Sequence, residues 1–96
     1  MPALIEPLTP ADAKRLLRVI LADGEVVFTS HALKEMEEDG ISQADAMGVL
    51  RGGMVEPAEF ERGSWRYRVR ANRTYVVAAF RSEFAAVVVT AWRVMR

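Results

Sequence analysis

The residues of this chain that could do chemistry are its arginines, two tyrosines and one histidine. In the segment 65–70 (WRYRVR), aromatic or aliphatic residues alternate with arginines. Because successive side chains of a β-strand point to opposite faces, this alternation predicts that Arg66, Arg68 and Arg70 form a row with a spacing of about 6.7 Å. Guanidiniums bind phosphates in bidentate contacts, which lysines do less well. The row indicates a polyanion-binding surface, and the alternative is a solvated face that keeps the protein soluble.

Charge is distributed unevenly along the chain. From Arg62 to Arg96 there are eight arginines and one acidic residue, whereas Met1 to Glu61 contains five basic and twelve acidic residues. The two segments therefore carry net charges of +7 and −7, which the total of zero conceals. Such a basic segment is typical of a surface that meets a polyanion such as nucleic acid.

The composition argues against several classes of site. Without cysteine there is no disulfide, thiolate metal site or thiol nucleophile. We expect no metal and no cofactor, because there is no zinc-ligand spacing, no glycine-rich phosphate loop and no Gly-x-Ser-x-Gly elbow. Apolar runs reach only about six residues, against roughly 20 for a membrane-spanning helix. The N-terminal sequence lacks a signal-peptide pattern, so we expect a cytoplasmic protein without a membrane partner.

RNA cleavage without a metal needs only residue types that this chain has. RNA carries its own nucleophile, the 2′-hydroxyl, so a base, an acid and cations that stabilise charge on phosphorus are sufficient. Tyr67 and Tyr75 are candidate proton carriers or base-stacking surfaces, although core packing suits Tyr67 beside Trp65. For His31 the alternative is a structural histidine in the first turn of a helix. The candidate catalytic residues are His31, Lys34, Arg68, Tyr75 and Arg93, and the candidate RNA-binding residues are Arg66, Arg70, Arg73 and Arg81.

Three helices are predicted in the part of the chain that precedes the arginine-rich strand 65–70. The first has Thr9 as its cap and Pro10 as its first residue, and ends at Gly24. The second follows a short strand, Glu25 to Phe28, with Ser30 as its cap and an end near Gly40. The third opens with Ser42 and Asp45 and ends at Gly52-Gly53. The inward-facing residues are predicted to be Ala13, Leu16, Leu17, Ile20 and Leu21 in the first helix, Ala32, Leu33 and Met36 in the second, and Ala46, Met47 and Leu50 in the third.

From Met54 onward the sequence pattern is that of extended strands. Turn signals at Arg62-Gly63, Ala71-Asn72 and Ser82-Glu83 predict a meander of four antiparallel strands. The last two, Thr74 to Phe80 and Phe84 to Trp92, are apolar on both faces and are expected at the centre of the sheet. Residues 1–96 are predicted to form a single α+β domain with element order α-β-α-α-β-β-β-β, in which residues 1–8 form an extended arm.

Several short motifs resemble those of a bacterial domain family of formally unknown function. They are 30–36 (SHALKEM), 40–42 (GIS) and 89–92 (VTAW), and the resemblance extends from Val27 to Arg93. That family looks like a relative of the MqsR and RelE/ParE toxins. The resemblance implies a RelE/MqsR-like fold, helices on an antiparallel meander, and a place in type II toxin–antitoxin modules. It also implies functional roles for Tyr75 and Arg93.

These observations lead to two candidate functions of different classes. The first is a toxin that acts as a metal-independent endoribonuclease on mRNA, alone or on the ribosome, and is held silent by a DNA-binding antitoxin encoded alongside it. The second is a non-catalytic RNA- or protein-binding module of the same fold. The acidic residues Glu35 and Asp39 on the second helix favour the second function, because carboxylates repel RNA.

Overall fold

Three helices and six strands make up the part of the protein that the computed structural model describes, residues 4–94. The first residues of the predicted arm, Met1 to Ala3, and Arg96 of the basic segment lie outside the described residues. None of the helices within residues 4–94 is long and apolar enough to cross a membrane. The mixed α+β class is confirmed. The elements are α1 (Pro10–Asp23), β1 (Glu25–Phe28), α2 (Ser30–Glu38), α3 (Gln43–Gly52), β2 (Met54–Val55), β3 (Glu59–Glu61), β4 (Ser64–Ala71), β5 (Thr74–Ser82) and β6 (Ala85–Arg93).

The strands form one sheet in the order β1-β6-β5-β4-β2, with β3 paired to β4 beside this path. β4, β5 and β6 are antiparallel, whereas β1 runs parallel to β6. The prediction that the two most apolar strands are central is confirmed, since β5 and β6 each have a neighbour on both sides. The first strand of the predicted meander is two strands, because Pro57 lies between β2 and β3 and a proline cannot donate to a β-ladder.

The hydrophobic core lies between the sheet and the helices α1 and α3. α1 contributes Leu17 and Ile20, α3 contributes Leu50, and β4 contributes Tyr67 and Val69, all of them at most 1% exposed. These positions follow the predicted helical and strand periodicities. Neither α1 nor α3 covers the opposite face of the sheet. The arginine row lies on that face.

Hydroxyl caps fix the starts of the helices. The Thr9 and Ser42 caps are confirmed, and Ser42 and Asp45 form a reciprocal capping box. The predicted Ser30 cap is wrong by one residue. Thr29 caps α2, because the sheet holds its backbone N–H on Val88 and the helix can begin only at the next residue.

The prediction that Leu33 lies on the inner face of α2 is wrong. The residue is 39% exposed. The buried residues of this helix are Ala32 and Met36, which are one helical turn apart. With nine residues, α2 contacts the rest of the protein along a stripe too narrow to include Leu33 as well.

The N-terminal arm is held against the core by a buried phenol. The Tyr67 hydroxyl accepts a hydrogen bond from the Leu8 backbone N–H and donates one to a Glu6 carboxylate oxygen, both at 2.9 Å. Burial raises the pKa of Tyr67 to about 12, so the hydroxyl keeps its proton. Of the roles considered for Tyr67, the structure shows core packing.

Candidate nucleic-acid interface

The arginine row lies on the sheet face opposite α1 and α3, which we call the open face. Strand alternation places Tyr67 and Val69 in the core and sends the three arginines of β4 the other way. The same alternation adds Tyr75 and Val77 from β5 and Thr90 and Trp92 from β6. The open face therefore combines cationic, aromatic and hydroxyl side chains.

Strand register sets which of these side chains are neighbours. Arg70 lies opposite Tyr75, which lies opposite Trp92 on the next strand. Arg68 lies opposite Val77, which lies opposite Thr90. Since neighbouring strands are about 4.8 Å apart, β4 and β6 are separated by roughly 10 Å across β5.

One carboxylate binds two arginines of the row. Glu56 follows β2, and its backbone N–H still donates to the Arg68 carbonyl at 2.9 Å. Its two carboxylate oxygens accept from Arg68 Nε at 2.8 Å and from Arg70 Nε at 3.2 Å. The Glu56 side chain is only 26% exposed, while those of Arg68 and Arg70 are 39% and 48% exposed. The guanidiniums thus keep an accessible surface while they hold the carboxylate in place.

The third arginine of the row faces carboxylates from β3. Arg66 Nη1 lies 3.7 Å from Glu61 Oε1, and Arg66 lies opposite Glu59 in the strand register. Three arginines therefore meet Glu56, Glu59 and Glu61 on the same side of the sheet. Folding brings acidic residues of the first segment onto the basic second segment, so the open face is close to neutral.

Two aromatic rings stack at one end of the open face. The Tyr75 and Trp92 ring centroids are 5.0 Å apart, and the rings are inclined by only 5°. Both side chains are half-buried, so part of each ring remains accessible. Stacked aromatic rings beside arginines are a typical surface for unstacked nucleobases.

Helix α2 borders the open face along β6. β1 ends at Phe28, and from there on α2 packs alongside β6. A Glu35 carboxylate oxygen accepts a hydrogen bond from the Thr90 hydroxyl and lies 3.5 Å from His31 Nε2. His31 and Lys34 are exposed on this helix. His31 is therefore linked to the margin of the open face through Glu35 and Thr90.

Arg93 lies on the other side of the sheet from Tyr75. Arg93 is paired with Thr74, whereas Tyr75 is paired with Trp92, and alternation separates the two pairs. The Arg93 side chain donates to the Thr74 hydroxyl and to the Gly40 carbonyl, and its backbone N–H donates to Asp39. The five candidate catalytic residues hence do not share one cleft, because at least Arg93 lies on the helix side.

The remaining candidates, Arg73 and Arg81, lie at the two ends of β5. Arg73 occupies the β4–β5 turn with Asn72, both with positive φ, and is exposed. Arg81 is exposed where the β5–β6 register shifts. The catalytic and RNA-binding roles of these residues remain predictions.

Glu56 is the residue that sequence reasoning missed. The sequence did contain a signal for Glu56, since a carboxylate two residues after Met54 falls on the same strand face as an arginine of β4 once the strands pair.

Within residues 4–94, no three His, Cys, Asp or Glu side chains lie close enough together to hold a metal ion.

Sequence comparison assigns the chain to a family. Residues 28–93 match the family described as domain of unknown function DUF4258, and because this match covers more than half of the chain, the protein belongs to that family. No curated protein and no solved structure matches the chain.

Proposed function

We propose that this protein is the toxin of a type II toxin–antitoxin module and that it cleaves RNA on its open face without a metal ion. The observation that carries the proposal is the Glu56 carboxylate held by Arg68 and Arg70 beside the stacked Tyr75 and Trp92. The toxin class rests on the resemblance of segments 30–36, 40–42 and 89–92 to relatives of MqsR and RelE. In this proposal the target is cytoplasmic mRNA, and a cognate antitoxin keeps the protein silent.

The proposed reaction uses the 2′-hydroxyl of the RNA as nucleophile. Glu56 takes the proton of that hydroxyl, the 2′-oxygen bonds to the adjacent phosphorus, and the P–O5′ bond breaks. Tyr75 gives its phenolic proton to the leaving 5′-oxygen, and Arg68 and Arg70 stabilise the charge on the phosphorane oxygens. The products are a 2′,3′-cyclic phosphate and a 5′-hydroxyl. Proton transfer from Glu56 to Tyr75 through water restores both groups.

His31 has a different place in this proposal. β2 and β6 are about 14 Å apart at roughly 4.8 Å per strand, and His31 lies beyond β6. We therefore assign His31 and Lys34 to contacts with RNA at the margin of the open face, and not to the phosphorus that Glu56 serves.

Cleavage of a short fluorescent RNA by purified protein in the presence of a chelator tests the proposal. We expect Glu56→Gln and Tyr75→Phe each to slow cleavage by about 10²-fold or more, as removal of a general base or acid does. Glu56→Gln should also tighten RNA binding, because it removes a negative charge from the row. An RNA with a 2′-deoxy sugar at the cleaved position should resist cleavage, since it lacks the nucleophile.

Arg18→Gln is the matched control, because it removes an exposed arginine from α1 on the other side of the molecule. It should leave cleavage unchanged. Equal cleavage rates for Glu56→Gln and Arg18→Gln would refute the role of Glu56.

The second candidate is a non-catalytic binding module of the same fold. It is favoured by the carboxylates that already occupy the arginine row and by Glu35 and Asp39, which are bonded to β6. Binding of RNA that stays intact over hours, together with normal growth of cells that express the protein alone, would support this candidate instead.

A further inference from the structure

A pocket on the open face has the chemistry of a guanine site. It measures about 250 Å³ and lies between the carboxylates of β3 and the residues of β6. Glu59 and Glu61 form one wall, and Arg66 and Arg68 lie beside them. Val77 forms the floor of the pocket between β4 and β6, and Thr90 and Trp92 form the opposite side. Donors, acceptors and an indole ring therefore surround one volume.

The two kinds of polar group in the pocket select among the bases of RNA. Guanine is the base with two adjacent donors, N1–H and the N2 amino group, which match the acceptors of a carboxylate. Its O6 and N7 are acceptors, and arginine is their usual partner. Adenine has one donor beside the lone pair of N1, uracil has a single N3–H donor between two carbonyls, and cytosine has one amino donor beside the acceptors N3 and O2. None of these three bases offers a carboxylate two adjacent donors. The Trp92 indole adds a surface on which any base could stack.

We infer that this pocket binds a guanine base of the RNA, with Glu59 and Glu61 on its Watson–Crick edge and Arg66 and Arg68 on O6 and N7. The inference rests on the proposed function for the statement that the ligand is RNA. It gives the β3 carboxylates a specific role. They select the base next to the phosphate that Arg68 and Arg70 hold.

Titration of the labelled protein with GMP, AMP, CMP and UMP, followed by NMR, tests the pocket without any cleavage. All four ligands carry the same phosphate, so differences between them report the base. We expect GMP to bind at least about fivefold more tightly than the others, the lower end of what one bidentate base contact supplies. The Trp92 indole N–H and the amides of β3 should shift most. Inosine monophosphate, which lacks the N2 amino group, should bind between GMP and AMP.

Two variants localise the selectivity. Glu59→Gln and Glu61→Gln are changes at exposed positions and should reduce the preference for GMP while the fold is kept. Glu83→Gln, in the β5–β6 turn beside α1, is the matched control and should retain it. Equal binding of the four nucleotides, or an unchanged preference in both β3 variants, would overturn the inference.

RNA oligonucleotides separate the pocket from the proposed function. A uridine oligomer with a single guanosine should bind more tightly than the same oligomer without it. Selective binding of GMP and of this oligomer without cleavage would support the pocket and contradict the nuclease. Cleavage of both oligomers at equal rates with no nucleotide preference would overturn the pocket and leave the nuclease. If GMP binds selectively but the guanosine adds nothing to RNA binding, the pocket takes a free nucleotide and its assignment to RNA is wrong.

Discussion

At the scale of single residues, Glu56 and Tyr67 show how one side chain serves two partners. Glu56 links two arginines of the open face, and Tyr67 links the arm to the core. Neither role follows from a local pattern. Twelve residues separate Glu56 from Arg68 and 59 separate Leu8 from Tyr67, so both depend on how distant segments pair.

Tyr67→Phe should destabilise the protein by about 1–2 kcal/mol. The ring remains, but the partly buried Leu8 N–H is left without its acceptor and Glu6 without its donor. Because the pKa of Tyr67 is raised from 10.0 to about 12, its contribution to stability is complete below pH 10 and is lost as the pH rises through 12. Urea unfolding at pH 7 and above pH 10 measures both effects. If the variant loses as much stability above pH 10 as the unchanged protein does, a group other than Tyr67 is responsible for the loss.

At the scale of elements, periodicity and caps predicted most of the fold. The bounds of β1 and the caps of α1 and α3 are confirmed, because each depends on residues within one or two turns of the boundary. The start of α2 was wrong because a contact with β6 holds Thr29 extended. The antiparallel pairing of β3 with β4 follows from the predicted Arg62-Gly63 turn. The parallel pairing of β1 with β6 could not be predicted, since it joins residues far apart in sequence. The open face was predicted as a row of arginines, and its carboxylates were not.

The capping box of α3 makes a contribution to stability that depends on pH. Hydrogen bonds from the Ser42 backbone N–H and hydroxyl lower the pKa of Asp45 below 3.8. A lowered pKa means that the contribution is present above pH 3.8 and is lost as the pH falls below it. Ser42→Ala should lower the melting temperature at pH 7 and reduce the difference between pH 7 and pH 3. Calorimetry of both proteins checks this, and an equal pH dependence would contradict it.

At the scale of the whole molecule, the two oppositely charged segments of the chain neutralise each other. Glu56 and Glu61 from the acidic segment contact the arginine row, and Asp39 holds the backbone of Arg93. The surface is consequently less basic than the sequence predicts. RNA must compete with these carboxylates for the guanidiniums.

Salt dependence of RNA binding measures this competition. Changing Arg66, Arg68 and Arg70 to Gln should weaken binding and lower the slope of log affinity against log salt by about 0.7 for each phosphate that is no longer bound. Changing Glu56, Glu59 and Glu61 to Gln should have the opposite effect and steepen the slope. Identical slopes for both triple variants and the unchanged protein would mean that RNA binds elsewhere.

The position of α1 implies that the sequence family and the cooperative folding unit have different boundaries. The family match begins at Phe28, yet Leu17 and Ile20 of α1 lie in the core. Burial of these two side chains contributes about 1.5–3 kcal/mol each, a large part of the roughly 5–15 kcal/mol that stabilises a domain. A protein shortened to residues 28–93 should therefore be molten, with helical circular dichroism, a broad thermal transition and bound hydrophobic dye. A sharp transition would show that α2, α3 and strands β2 to β6 fold without α1 and β1, so that other members of the family could carry different N-terminal elements on the same sheet.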